Sequence, residues 1–447
     1  MPTIAAIATP PGEGAIALLR ISGVAAVSIV EKLFRGKEKP SLMESRRLYF
    51  GTMVEENEVL DEVLLTIFRA PQSYTGEDVV EISCHGGSFL AARLLKAILI
   101  AGARMARPGE FTQRAYLHGK MDLTKAEAIM DVITAQTLRA QRSATEQLSG
   151  RLGQEIAILR ADLLAAVAHL EAFIDFPEDD IAPETGHALH QRLEQSRQQL
   201  LRLLATADEG RLLREGLSLV LAGAPNVGKS SLLNCLLGRE RAIVSATPGT
   251  TRDTIEETAT LGGFPFRVVD TAGLRQTDDA IEQEGVLRAE RLIANADLCL
   301  HLVDATDIGG SFTPPIAQEL LVLNKIDLVE NRASLQQAYP EALSISCVTG
   351  EGIEELIKAI IARVTGRDSS ITEQVSSSLA INARHQACLQ RAMTALETAI
   401  TLLETEQPPE LVAVELHAAL QAVGEVVGVA GTEEILGEIF GNFCIGK

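Results

Sequence analysis

Tryptophan is missing from this chain of 447 residues, and aromatic side chains make up only 4% of it. Its cores must therefore be filled by aliphatic side chains, and the prominence of alanine and leucine favours helix. Cysteine is scarce and scattered: Cys84, Cys235, Cys299, Cys347, Cys388 and Cys444 include no Cys-x-x-Cys pair. That spacing argues against a disulfide framework or a zinc site and fits a reducing cytoplasm. Positive charge is short, with 40 Lys and Arg against 60 Asp and Glu and a net charge of −20. An extended nucleic-acid groove is not expected on such a chain, so any RNA contact has to be local or shared with a partner. No charge-free apolar run reaches about 18 residues, and no membrane span is expected. The stretch Met1 to Arg20 lacks a basic start and is broken by Pro10-Pro11-Gly12-Glu13, a poor match to a secretory signal. Cys444 stands fourth from the end as in prenylated chains, but Gly446 and Lys447 do not suit that recipe.

What is present falls into blocks, and the length allows two or three domains. Before about Met121 the pattern is mixed α/β, with strand-like Ala15–Ile21, Arg47–Val54, Val63–Phe68 and Val79–Cys84 and a helical Phe89–Ala101. From Leu123 to about Arg214 apolar residues recur at three- and four-residue spacing, which predicts helices interrupted at Phe176-Pro177 and Ala182-Pro183. A second mixed segment opens at Gly216 and closes near Arg367. Beyond Ser369 the chain is helical again to Gly441, broken at Pro408-Pro409. Helices on both sides of a complete α/β segment predict one helical domain carrying an inserted one. The expected division is residues 1–120, 121–214, 215–368 and 369–447; four independent consecutive domains are the competing arrangement.

The inserted segment carries the most informative peptide, Gly223-Ala224-Pro225-Asn226-Val227-Gly228-Lys229-Ser230-Ser231. It follows the apolar run Leu217–Leu221 and precedes the amphipathic Ser231–Leu237, the strand–loop–helix setting of a phosphate-binding loop. Its backbone N–H groups would turn inward on a polyphosphate. Lys229 would then reach the β and γ oxygens, and the Ser230 hydroxyl would ligate Mg2+. Asp270-Thr271-Ala272-Gly273 ends the apolar segment Phe266–Val269, placing Asp270 to hold Mg2+ through water and the Gly273 N–H to meet a γ-phosphate. Asn324-Lys325-Ile326-Asp327 moves the reading from NTPase to GTPase. A carboxylate such as Asp327 accepts the two donors that guanine has and adenine lacks. Ser344-Ile345-Ser346-Cys347 is a weaker match to the loop that cradles the base, with the Cys347 N–H expected to face the base oxygen. Between these motifs, Ser245-Ala246-Thr247-Pro248-Gly249-Thr250-Thr251 would supply Thr251 as a second hydroxyl on Mg2+, and Gly262-Gly263 reads as a tight hairpin. Leu274 stands where some GTPases keep a water-orienting glutamine, and no arginine finger can be assigned.

Four further peptides carry a resemblance. They are Ala8-Thr9-Pro10-Pro11-Gly12 leading to Leu19-Arg20-Ile21-Ser22-Gly23; Ser73-Tyr74-Thr75-Gly76-Glu77-Asp78 with His85-Gly86-Gly87; Arg107-Pro108-Gly109-Glu110-Phe111-Thr112 continuing to Lys120; and Cys444-Ile445-Gly446-Lys447. In this order around a GTPase segment, the chain resembles the MnmE (TrmE) family of tRNA modification GTPases along its whole length. The resemblance implies an N-terminal α/β domain that binds formyl-tetrahydrofolate and dimerises, a central helical domain, and an inserted P-loop G domain with a Ras-like doubly wound sheet. It implies a homodimer that forms a heterotetramer with the flavin-dependent MnmG (GidA) and builds a carboxymethylaminomethyl group on C5 of the wobble uridine of certain tRNAs, the folate supplying the one-carbon unit. Folate contacts map by resemblance onto Arg20, Glu77, Lys120 and Lys447. The resemblance also implies that K+ takes the place of the arginine finger, held by Asn226 with Ser245, Thr247 and Thr250, and that Glu282 orients water. Cys444 is placed for chemistry by its position, though a merely terminal or buried thiol fits equally. A GTP-dependent ribosome-assembly factor of the Era-like class, with no modification chemistry, is the rival reading.

Overall fold

The computed structural model describes residues 1–175, 186–239, 256–270, 296–307, 319–365, 379–429 and 433–447. Two compact units result: Met1–Met130 with Leu152–Ala161 and Leu420–Lys447, and Asp131–Arg151 with Asp162–Ala419.

The first unit is built on strands β1 (Ile4–Ile7), β2 (Ile16–Ser22), β3 (Phe34–Gly36), β4 (Leu48–Glu55), β5 (Glu58–Phe68), β6 (Val79–His85) and β7 (Arg104–Met105). They lie in the order β3-β4-β5-β6-β2-β1-β7. Alternation sorts each strand into two faces. On β5, Val63, Leu65 and Ile67 are buried, while Leu64 and Thr66 point the other way. The buried face is covered by α1 (Ala26–Leu33) and α2 (Ser88–Ile100), whose Ile29, Val30, Leu94 and Ile98 join Leu65 and Ile82 in one core. Each such side chain contributes about 1.5–3 kcal/mol by leaving water. After α3 (Glu110–Leu117) and α4 (Leu123–Thr134), the last helix of the chain, Glu433–Gly441, comes back to this unit. Its Leu436 and Phe440, with Phe443 just beyond it, pack on Leu123 and Ala126. The chain end then lies along the sheet, and the Phe111 N–H donates to the Lys447 carbonyl at 3.1 Å. Gly446 has φ +97°, and a Cβ there would fall 2.6 Å from the Ile7 carbonyl oxygen, so only glycine lets the tail approach this closely.

Helices α5 (Leu138–Leu148), α6 (Arg151–Asp175), α7 (Gly186–Leu204) and α8 (Ala207–Glu215) follow, and in the second unit α5 and α8 accompany a six-stranded sheet. Its strands are β8 (Leu217–Gly223), β9 (Glu256–Leu261), β10 (Phe264–Asp270), β11 (Leu298–Asp304), β12 (Glu319–Asn324) and β13 (Leu343–Ser344), in the order β13-β12-β11-β8-β10-β9. All neighbours are parallel except β9 and β10, whose hairpin turns at Gly262 and Gly263, both at positive φ. Strand β8 is the middle of the sheet, buried on both faces, which is why Leu219, Val220 and Leu221 read as an unbroken apolar run. Helix α9 (Lys229–Arg239) and, after the short α10 (Arg332–Ala338), helix α11 (Ile353–Thr365) pack Leu232, Leu236, Leu356 and Ile360 on that core. Ala140 of α5, Leu212 and Leu213 of α8, and Ala380 belong to the same cluster. The parallel order sets Gly223, Asp270, Asp304 and Asn324 along one carboxyl edge, the crevice where doubly wound sheets bind ligands. Among the described residues no helix is long and apolar enough to cross a membrane.

Candidate functional site

At that edge the chain leaves β8, turns through Ala224–Gly228 and enters α9. Asn226 is exposed with φ +62°, Val227 is buried, and Ser230 and Ser231 are exposed on the first turn of the helix. Lys229 is 7% exposed, and its Nζ donates to the Gly223 and Ala224 carbonyls at 2.9 and 2.8 Å. The ammonium is thereby held over the turn that leaves β8. Gly228, at φ +100°, makes room for a neighbour: a Cβ would lie 2.2 Å from Asn324 Nδ2. That amide nitrogen donates to the Val227 carbonyl at 2.8 Å, while Asn324 Oδ1 accepts the Cys347 N–H at 3.3 Å. One buried amide thus ties the phosphate loop to the base-side loop. The Cys347 N–H, expected to face the base oxygen, is directed at Asn324 instead.

Ser346 is buried, and its Oγ accepts the Thr349 N–H at 3.1 Å, which closes the turn. Burial, followed by the neighbouring Cys235, pushes the Cys347 thiol up to about 12, so this sulfur is a small apolar wall rather than a nucleophile. Lys325 sits at φ +67° with Nζ 2.5 Å from Asp304 Oδ2. Asp327 lies in the 3-10 turn Ile326–Leu328, and its Oδ1 is buried with no hydrogen-bond partner among the described residues. An orphaned buried acceptor is costly, and a ligand presenting N–H donors is the natural remedy. Guanine fits that demand. Asp270 ends β10 in register with Leu221. Ser245, Ala246, Thr247, Pro248, Gly249, Thr250, Thr251, Thr271, Ala272, Gly273 and Glu282 lie outside the described residues.

The first unit holds a separate polar cluster. Glu77 Oε2 accepts from Ser22 Oγ and from Arg114 Nη1, both at 2.8 Å. Arg114 is 1% exposed, and its Nη2 reaches Glu110 Oε1 at 3.0 Å and the Pro2 carbonyl at 2.7 Å. Glu110 also receives Arg104 and the Arg107 N–H. Burial pushes the Glu110 carboxyl up, but the donors from Arg104, Arg107 and Arg114 outweigh it and leave it at about 2. Arg20 lies within 5.5 Å of the Tyr74 ring and 5.8 Å of the Phe111 ring. It pairs with Glu81 at 2.7 Å and donates to the Gly446 carbonyl at 3.3 Å. Lys120 Nζ donates to the Pro71 carbonyl at 2.8 Å, on the loop that leads to Glu77. Cys444 is exposed, and its carbonyl accepts the Lys447 N–H at 3.3 Å. Arg20 and the chain end are therefore in contact, and Glu77 hangs on Ser22, two residues along the strand that bears Arg20. Arg114 and Glu81 escaped the sequence reading, and Glu110 entered it only as part of a peptide that carries the resemblance. The four-residue step from Glu110 to Arg114 on one helix was the signal that pointed to part of this network.

Two family models match: the MnmE helical domain over residues 123–444 and the GTP-binding protein TrmE N-terminus over residues 3–120. The tRNA modification GTPase MnmE of Akkermansia muciniphila is 46% identical over 100% of this chain and 99% of its own length. The chain belongs to the MnmE family. The relatives named tRNA modification GTPase MnmE from Symbiobacterium thermophilum and Moorella thermoacetica are 46% and 44% identical, each over 100% of this chain and 99% of its own. Membership accounts for the three-part architecture: the TrmE N-terminal α/β domain, the MnmE helical domain, and a P-loop G domain within the span of the helical match. It also fits the meeting of Asn226–Ser231 with Asn324, Lys325, Asp327, Ser346 and Cys347 at one edge.

Proposed function

We propose that this chain is a K+-dependent GTP hydrolase of tRNA modification. With a flavin-dependent partner of the MnmG type it adds a carboxymethylaminomethyl group to C5 of the wobble uridine, taking one carbon from a formyl-tetrahydrofolate. The observation that carries the GTPase part is the buried Asp327 Oδ1, without a hydrogen-bond partner among the described residues, which calls for the N–H edge of guanine beside a phosphate loop. Lys229 and the N–H groups of residues 226–231 bind the β and γ phosphates, and Ser230 with Thr251 holds Mg2+, which neutralises phosphate charge. Asn226, with Ser245, Thr247 and Thr250, holds K+, which supplies the charge an arginine finger would bring. Glu282 orients the attacking water.

The one-carbon part is assigned to the first unit. Arg20, Glu77, Lys120 and Lys447 bind the folate: Glu77 faces the donor edge of the pterin, and the cations face the glutamyl tail. Ser22 and Arg114 supply support by fixing the Glu77 carboxylate in place. Cys444, exposed on the last turn before the chain end, is the thiol available there for chemistry. The homodimer forms through the part of the sheet face opposite α1 and α2 where Ile16, Leu48, Phe50 and Leu64 are exposed. We assign residues 1–120 to this folate domain, 121–214 and 369–447 to the helical domain, and 215–368 to the inserted G domain.

GTP turnover measured in K+ and in Na+, with Asn226→Ala as control, tests the reading. Faster turnover in K+ that Asn226→Ala abolishes supports it; equal rates in both salts overturn it. Mass spectrometry of wobble uridines in a deletion strain separates it from a ribosome-assembly factor, which would leave those nucleosides unchanged.

A further inference from the structure

Asp304 closes β11 directly beside Asn324 of β12; the two residues are partners in the parallel register, and the Ala305 N–H donates to the Asn324 carbonyl at 2.9 Å. Its carboxylate is divided between two tasks. Oδ1 accepts the Thr306 N–H at 3.0 Å and the Thr306 hydroxyl at 2.7 Å, which fixes the side-chain rotamer. Oδ2 receives Lys325 Nζ at 2.5 Å. Asp304 is 20% and Lys325 33% exposed, so the pair is shielded from water on most sides. Lys325 itself stands at φ +67°, a conformation uncommon for a residue with a Cβ, immediately before the turn that presents Asp327. Burial opposes ionisation of Asp304, yet Lys325 and Thr306 hold its carboxyl below the usual aspartate range.

A lysine stem loses several rotors when it is pressed against a ligand, and that loss weakens binding unless the stem is already ordered. The geometry points to Asp304 as a positioning residue for the guanine site: it anchors the Lys325 ammonium so that the lysine stem and the strained turn before Asp327 are ordered before the nucleotide arrives. This rests on the reading of Asp327 as the base-recognising carboxylate. Asp304 acts through Lys325 and belongs to the base side of the site, not to the phosphate chemistry. Its effect should therefore fall equally on GDP and GTP, and on KM rather than kcat.

The test is titration of the full-length protein with fluorescently labelled GDP and GTP, alongside steady-state GTP hydrolysis. Asp304→Asn keeps the shape and the acceptor for Thr306 but removes the charge facing Lys325. The expected result is about tenfold weaker binding of both nucleotides and a matching rise in KM at unchanged kcat. Lys325→Met should give a comparable loss, and the double variant little more than either alone, because the two side chains act as one unit. Thr306→Ala, which loosens Oδ1 only, should give a smaller loss in the same direction and serves if Asp304→Asn fails to fold. Unchanged or tighter binding by the Asp304 variant, additive losses, or a fall in kcat at constant KM would each overturn the inference. If the unsubstituted protein binds GDP no better than ADP, the guanine reading falls and this inference with it. If it selects guanine but ignores Asp304→Asn, only the inference falls.

Discussion

The proposed guanine reading rests at the residue scale on one atom of Asp327. Its Oδ1 is buried and, among the described residues, is offered no hydrogen bond, a state that costs about 1–3 kcal/mol until a donor arrives. Exchanging that acceptor for an amide nitrogen makes the site ask for a base with an acceptor in the same place. Asp327→Asn should weaken GDP binding by about two orders of magnitude and favour xanthosine nucleotides, measured by competition titration. Retained guanine preference would mean that another group reads the base. Asn324 and Gly228 make a complementary point. The amide of one occupies the space where the other lacks a side chain, so the phosphate loop and the base-side loop are held at a set distance.

Helix α3 is fastened by charge rather than by apolar packing alone. Glu110 lies in its first turn and Arg114 one turn on, and both are almost fully buried. With Arg104 on β7 and Glu77 on the loop before β6, they clamp the helix to the sheet. The Glu110 carboxyl titrates at about 2 in the fold against 4.5 when unpaired. A depressed folded value means the stabilisation is fully present above pH 4.5 and is lost as pH falls from there toward 2. The amount at stake is roughly 3 kcal/mol. Thermal melting of the first unit should therefore drop steeply between pH 4.5 and 2. Glu110→Gln should melt lower at neutral pH and show a shallower slope over that window; an unaltered slope would assign the acid sensitivity to other carboxylates.

For the whole molecule, the exposed apolar patch on the seven-stranded sheet is the largest statement about assembly. Phe50 and Leu64 are cross-strand partners on it, 64% and 39% exposed, an expensive arrangement for a monomer. Phe50→Glu combined with Leu64→Glu should convert a dimer to a monomer in analytical ultracentrifugation while leaving guanine nucleotide binding intact. A persistent dimer would place the interface elsewhere.

Contiguous peptides were what the sequence by itself determined. The phosphate loop, the Asn324–Asp327 motif and the Gly262-Gly263 hairpin each act through neighbours a few residues away, so their backbone demands are written in local residue types. Periodicity likewise marked β2, β4, β6 and α2 to within a residue or two, because a buried stripe imposes its spacing on the chain. Strand β11 went unnoticed, its apolar run being short and interrupted by His301. Only the tertiary structure decided which charges meet. Arg114 finds Glu77 across 37 residues and Asp304 finds Lys325 across 21, through sheet register and helix placement that no short window encodes. Charge pairs are specified by where the packed elements set their ends down, and packing is a property of the folded core as a whole.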